Sequence, residues 1–279
     1  MNLKDYIFIA RPDHWFKNIF VLPGVAAAAV LTGIHPKNFL WNFVFGIVSV
    51  CLVTSANYVI NEWLDKDFDK HHPVKSTRPS AAGRVKAKWV YFEYLILAVV
   101  GLSFARFVSG PYLITSAVLL GMGLIYNVKP FRSKDLPFLD VLTESINNPI
   151  RLFLGWFVVT SVPLPPSSLI LAYWMGGAFL MAIKRFSEMR FLGSREQAAM
   201  YRKSFKYYHE GNLLASVLFY VMAFSFFFGV FLIKHKIELL LALPLFFIMF
   251  CWYLMLGLNP ESAVKSPEKL YREKSFLFF

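Results

Sequence analysis

Charged residues are scarce in this sequence: Asp, Glu, Lys and Arg make up 16% of it, against 57% hydrophobic and 18% aromatic residues. That balance excludes an ordinary soluble domain, in which about a quarter of the residues are charged. Acids are scarcer than bases, 17 against 29 Lys and Arg, and loops facing anionic lipid explain this excess without a nucleic-acid partner. Cysteine is nearly absent. Cys51 and Cys251 both fall inside apolar runs, which excludes a disulfide framework or a metal pair and makes them expected buried packing residues. A Gly-rich phosphate loop, zinc-ligand spacing, a nucleophile elbow and an internal repeat are also missing. No signal-peptide pattern opens the chain, because Asp5 to Lys17 mixes charge with apolar residues before the first run, so that segment is expected to be retained. Without a linker or low-complexity stretch, residues 1–279 are expected to form one domain.

What is present in abundance is apolar length. A bilayer core of about 30 Å needs roughly 20 mainly apolar residues per helix, and eight runs qualify, at approximately 19–36, 38–60, 88–107, 111–127, 136–160, 167–183, 212–233 and 237–258. The expected fold class is therefore an all-α, polytopic membrane bundle. Lys and Arg accumulate in loops on the cytoplasmic side, and all but five of the 29 fall on one side of this span pattern. The exceptions are Lys37, Arg106, Lys234 and Lys236 on the other side and Arg151 inside the fifth run. A missed or invented helix would scramble that alternation. Both termini are expected to be cytoplasmic.

The stretch NEWLDKDFDKHHPVKSTRP, from Asn61 to Pro79, directly follows the second run. If that run stays helical through Asp69, then Asn61, Asp65 and Asp69 stand four residues apart, about 6 Å along one face. Oxygen donors in that pattern suit Mg²⁺, which is usually shared between one or two carboxylates and a substrate phosphate. For this pair of acids alone, a solvated acidic face balanced by Lys66 and Lys70 is the simpler reading. A second cluster alters the weighing. In YNVKPFRSKDLPFLDVLTESINNPIRLFLGW, Tyr126 to Trp156, Asp140 and Glu144 again stand four apart and lead toward Asn147, Asn148 and Arg151.

These acids lie inside an apolar run, where each ionisable residue costs about 2.5 to 3.5 kcal/mol on insertion scales and normally faces an interior cavity or a partner. Arg151 is seven residues, two helical turns, beyond Glu144, so a structural pair between them is an alternative to a substrate role. Lys75, Arg78, Lys129, Arg132 and Lys134 flank the two acidic faces. Carboxylates holding a metal and cations holding phosphate oxygens together suggest a site for an anionic Mg²⁺ complex.

The order N-x-x-x-D-x-x-x-D at Asn61, Asp65 and Asp69, followed by Asp140 and Glu144, resembles the UbiA superfamily of intramembrane prenyltransferases. RPDHWFKN at Arg11 to Asn18, HPVKSTRPSAAG at His72 to Gly83 and KRFSEMRFLG at Lys184 to Gly193 are similar to its decaprenyl-phosphate phosphoribosyltransferase branch. The resemblance implies nine transmembrane helices around a central cavity, with Mg²⁺ and diphosphate at a cytoplasmic cap and a prenyl chain in a lipid-facing groove. It implies metal and catalytic roles for Asp65, Asp69, Asp140 and Glu144, with Asn61 as a further ligand. Two departures stand out: Glu62 takes the place of a usual Asp, and eight runs are counted, with SFLFF standing where the ninth helix that the resemblance implies would begin.

The implied chemistry is loss of diphosphate from a carbon that becomes cation-like. That carbon is either allylic, with an aromatic acceptor, or the sugar carbon of phosphoribosyl diphosphate, with a polyprenyl phosphate acceptor. Lys184 and Arg185 tip the reading toward the second, because a donor with an extra phosphate needs surplus cations. A plain basic helix end, including Glu188, is the simpler account of those residues. The competing class is a transporter, in which intramembrane acids and the Asn147-Asn148-Pro149 break line an ion path.

Overall fold

The computed structural model describes residues 2–193 and 195–259. No strand forms among them. The helices are α1 (Leu3–Ala10), α2 (Leu22–Thr32), α3 (Phe39–Asp69), α4 (Ala87–Val108), α5 (Gly110–Asn127), α6 (Leu139–Ser145), α7 (Asn147–Val159), α8 (Ser167–Phe191), α9 (Arg195–Tyr201), α10 (Glu210–His235) and α11 (Leu243–Leu258). A 3₁₀ segment, Pro12–Val21, joins α1 to α2. The expected all-α class is what forms.

Among the described residues, seven stretches are long and apolar enough to cross a membrane: Leu3–Thr32, α3, α4, α5, α8, α10 and Ile237–Leu258. Eight were expected. The difference lies at 136–160, which forms two short helices, α6 and α7, interrupted at Ile146. Pro149 explains the interruption, since it has no N–H to donate to the Ser145 carbonyl and its ring crowds that oxygen. Neither α6 nor α7 is long enough to span alone. The possible ninth helix at SFLFF falls outside the described residues.

The described residues divide into two compact units. The first runs to Lys134 and resumes over Asn147–Pro165; the second holds Asp135–Ile146 and the described chain from Pro166 onward. In the first unit α3 is the spine, packed against α4, α5 and α7. Tyr112 Oη on α5 donates to the Gly46 carbonyl of α3 at 2.7 Å. Backbones of α2 and α7 approach so closely that a Cβ at Gly155 would lie 2.0 Å from the Val21 carbonyl oxygen, and one at Gly24 would lie 2.1 Å from that of Leu152. Glycine permits this contact as small residues do between membrane helices. Because α3 stays helical to Asp69, it carries Asn61, Asp65 and Asp69 on one face, as their spacing predicts.

In the second unit α8 packs along α10. Phe250 of α11 meets Phe179 at 4.6 Å and Phe224 at 4.8 Å between ring centroids, both edge to face. A second cluster of Phe186, Tyr201, Phe205, Tyr208 and Leu213 is buried beneath the α9 loop, which fixes that loop beside α8. Large apolar side chains such as Leu40, Trp41, Leu95, Ile114, Phe226 and Leu241 remain exposed, as a lipid-facing surface requires. Cys51 is buried as expected, but Cys251 is exposed. Its helix, α11, is apolar on every side, so an apolar neighbourhood in sequence did not mean an interior position.

Candidate active site

In the first unit each acid at the end of α3 has a basic partner. Asp65 Oδ1 accepts from Arg132 Nη2 at 2.9 Å and pairs with Lys134 Nζ at 2.5 Å. Asp69 Oδ2 accepts from Arg78 Nη1 at 2.7 Å. Glu62 is fully buried and accepts from Arg11 Nη2 at 3.0 Å. Asn61 is half-buried. Two of these cations sit at left-handed backbone positions, Arg11 at φ 51° and Arg132 at φ 26°, a conformation that costs non-glycine residues energy and collects at functional sites.

Local structure aims these groups. His72 Nδ1 accepts from the Val74 and Lys75 amides at 3.1 and 3.3 Å, which shapes the turn that returns Arg78 to Asp69. Lys75 is half-buried and within electrostatic reach of Asp69. Asn127 anchors the other side, with its carbonyl accepting from Arg132 at 2.9 Å and its side-chain oxygen from Lys134 Nζ at 2.6 Å. Lys129, expected to flank the site, is exposed. Arg151 donates through Nε to Asn18 Oδ1 at 3.2 Å and through Nη1 to the Asn147 carbonyl at 3.3 Å. The two-turn face expected to carry both Glu144 and Arg151 does not exist, because those residues lie on different helices, α6 and α7.

The second unit holds a separate cluster around Asp140, which is fully buried. Its Oδ2 accepts from Arg185 Nε at 3.0 Å, Ser204 Oγ at 3.2 Å and Arg202 Nη1 at 3.3 Å; its Oδ1 accepts from Tyr208 Oη at 2.5 Å. Three of these four donors converge on Oδ2 and one on Oδ1. Arg185 is only 1% exposed and spreads its guanidinium over three acids: Nε on Asp140, Nη2 on Glu144 and Nη1 on Glu188 at 3.4 Å. Lys184 Nζ stands 3.6 Å from Glu144, whose side chain is 26% exposed. Burial first, then the Asp140 charge and the hydrogen bond to it, hold the Tyr208 hydroxyl well above the usual phenol range, so it remains a donor.

Three acids (Asp140, Glu144 and Glu188) thus meet three cations (Lys184, Arg185 and Arg202). Formal charge is balanced within these pairs, and Lys184 and Arg185 are both engaged by acids. The first cluster differs. There Glu62, Asp65 and Asp69 meet Arg11, Arg78, Arg132 and Lys134, one cation more than the acids before Lys75 is counted. No group of three or more His, Cys, Asp or Glu stands ready to hold a metal among the described residues. Sequence reasoning missed Arg202, Ser204 and Tyr208 as partners of Asp140, because they come from 62 to 68 residues further along the chain.

A polytopic helical protein with basic side chains seated on acids at the end of an apolar helix belongs to the broad class of integral, multi-pass membrane proteins. Residues 19–278 match the UbiA prenyltransferase family, and the chain belongs to it. It is 32% identical over 216 residues to decaprenyl-phosphate phosphoribosyltransferase of Mycolicibacterium smegmatis, covering 76% of this chain and 64% of that protein. It is 30% identical over 210 residues to the enzyme of that name from Corynebacterium glutamicum, covering 74% and 61%. The chain thus spans just under two thirds of the length of these relatives. A solved UbiA homologue from Archaeoglobus fulgidus, bound to DMAPP and Mg²⁺, shares the fold with a TM-score of 0.77 at 17% identity, over 98% of this chain and 97% of that one.

Proposed function

We propose that residues 1–279 act as one membrane-embedded transferase domain, a Mg²⁺-dependent polyprenyl-phosphate phosphoribosyltransferase. The observation that carries the reading is the surplus of cations over acids around Asp65 and Asp69. Phosphoribosyl diphosphate carries a sugar phosphate besides its diphosphate, and that group needs its own donors once it leaves water. The arginine forks of Arg78 and Arg132 suit phosphate oxygens, and Lys75 and Lys134 add point charge. The relatives from M. smegmatis and C. glutamicum support the same reading through their names.

The residues fit Mg²⁺ by donor chemistry. Asn61, Asp65, Asp69 and Glu144 offer oxygen alone, and the side chains of Asp65 and Glu144 are 18% and 26% exposed. Asp140, also expected as a metal ligand, is engaged by four donors and supports Glu144 through Arg185. A bound Mg²⁺ supplies charge stabilisation for a departing diphosphate. The protein's own part is to hold the donor by its phosphates with Arg78, Arg132, Lys75 and Lys134, and to present the sugar carbon to the lipid phosphate. An oxygen of that phosphate forms the new bond as the carbon–diphosphate bond breaks.

Product analysis by mass spectrometry tests this directly, with purified protein given phosphoribosyl diphosphate and polyprenyl phosphate, or polyprenyl diphosphate and aromatic acceptors. Phosphoribosyl lipid is expected from the first pair. Prenylated aromatic product alone overturns the donor and leaves a prenyltransferase; lipid movement without chemistry overturns the enzyme.

Orientation is part of the same reading: with the broken run at 136–160 counted as an eighth crossing beside the seven long stretches, both termini lie on the cytoplasmic side of a bacterial-type plasma membrane, following the distribution of Lys and Arg. Cysteines introduced beside Lys37 or Lys234 are expected to label from outside, and those beside Lys88 or Lys129 only after permeabilisation. Replacing Cys51 and the exposed Cys251 first keeps the background silent. Labelling of both sets from one side would refute the orientation.

A further inference from the structure

Tyr208 makes two short contacts with one oxygen. Its hydroxyl donates to Asp140 Oδ1 at 2.5 Å and accepts from the Phe138 amide at 2.6 Å. Phe138 is the residue immediately before α6, and its φ of 62° places a bulky side chain in the left-handed region. Non-glycine residues hold that conformation only where their surroundings compel it. The compulsion is visible on both sides of Phe138, since its amide is tied to Tyr208 Oη and its ring packs edge to face on the Tyr208 ring at 5.3 Å. Two residues later comes Asp140, and one turn more brings Glu144.

We propose that Tyr208 is a positioning residue of the second acidic motif: by joining the Phe138 turn to the Asp140 carboxylate through one hydroxyl, it sets the start of α6. The consequence passes along named contacts. Asp140 holds Arg185 Nε, and Arg185 Nη2 holds Glu144, the partly exposed acid of the motif. Arg202 and Ser204 also donate to Asp140, and Tyr208 joins that carboxylate to the backbone before α6. A loop more than 60 residues away in sequence thereby fixes the direction in which Glu144 is offered to substrate.

The use of Glu144 rests on the function proposed above, so the test separates the two. Tyr208→Phe keeps the ring, its burial and its packing on Phe138, and removes only the oxygen. In lipid nanodiscs, hydrogen exchange at the Phe138 amide is expected to be slow in the wild type and to quicken about tenfold or more in the variant. With the donor and lipid of the preceding section, kcat is expected to fall about tenfold while the donor KM changes little, because an interaction needed at the transition state is misdirected while the cations that bind the donor's phosphates are untouched. Ser204→Ala, which deletes a donor to Asp140 without touching the turn, is expected to leave Phe138 exchange unchanged.

Fast exchange at Phe138 in the wild type overturns the proposal, whether or not any variant folds. So does a Tyr208→Phe protein whose Phe138 exchange and kcat match the wild type while Glu144→Gln is impaired. If Glu144→Gln itself turns over normally, the role of the second motif fails and the positioning role fails with it.

Discussion

Asp65→Asn is expected to lower Mg²⁺-dependent turnover by about 100-fold or more, a loss of the size seen when one preorganised charge-stabilising group is removed. The substitution keeps shape and volume at a side chain that is 18% exposed, so the helix and its packing should survive. What changes is charge. Arg132 and Lys134, both held against Asp65, lose the acid that balances them, and the region becomes more positive. The half-saturating donor concentration is therefore expected to stay level or fall while kcat drops, the pattern of an interaction needed at the transition state rather than for binding. Asp69→Asn should share the loss of turnover with a larger stability cost, since its side chain is 3% exposed and bound to Arg78 at 2.7 Å. Turnover titrated against Mg²⁺, beside thermal melting in detergent, checks both variants. Wild-type kcat at saturating Mg²⁺ in Asp65→Asn would remove the metal assignment from α3.

That prediction rests on the part of the site most legible in the sequence. Asn61, Asp65 and Asp69 repeat at helical spacing straight out of an apolar run, so one local rule is enough to place them together. Arg78, Arg132 and Lys134 were readable as flanking cations because each lies in a short polar loop beside the same helix end. Asp140 was visible as an acid in an apolar setting, but its surroundings were not. Its donors Arg202, Ser204 and Tyr208 come from a basic loop that looks like any solvated cytoplasmic segment, and only tertiary packing of Phe205 and Tyr208 under α9 turns them inward. The interruption at Ile146 was legible in principle. The Asn147-Asn148-Pro149 break was weighed for a transporter's ion path, whereas here it separates Asp140 and Glu144 from Arg151. The exposure of Cys251 was not legible, because hydrophobicity in a membrane chain does not distinguish lipid from protein as the neighbour.

The largest stability effect is expected at Arg185. From sequence it was a candidate cation for the donor's extra phosphate; its geometry predicts a loss of fold on its removal. Arg185→Ala leaves Asp140, Glu188 and Glu144 without their common partner, with side chains 0%, 6% and 26% exposed. Removing one partner from a buried ion pair costs about 3–5 kcal/mol, because the charge left behind is not compensated. Asp140 retains Arg202, Ser204 and Tyr208, so the upper end of that range applies only if the loop carrying them also loosens. Arg185→Lys should recover part of the loss, since a single ammonium restores the charge but lacks the planar fork that reaches three carboxylates at once. Lys184→Ala supplies the comparison: its amine is 3.6 Å from Glu144 and its side chain 22% exposed, so water replaces it at a cost of about 1 kcal/mol or less. The expected order of melting temperatures in detergent is wild type, Lys184→Ala, Arg185→Lys, Arg185→Ala. Equal melting of Arg185→Ala and Lys184→Ala would mean that Arg185 does not hold the second unit together, and would return it to the list of cations free to meet the donor's phosphates.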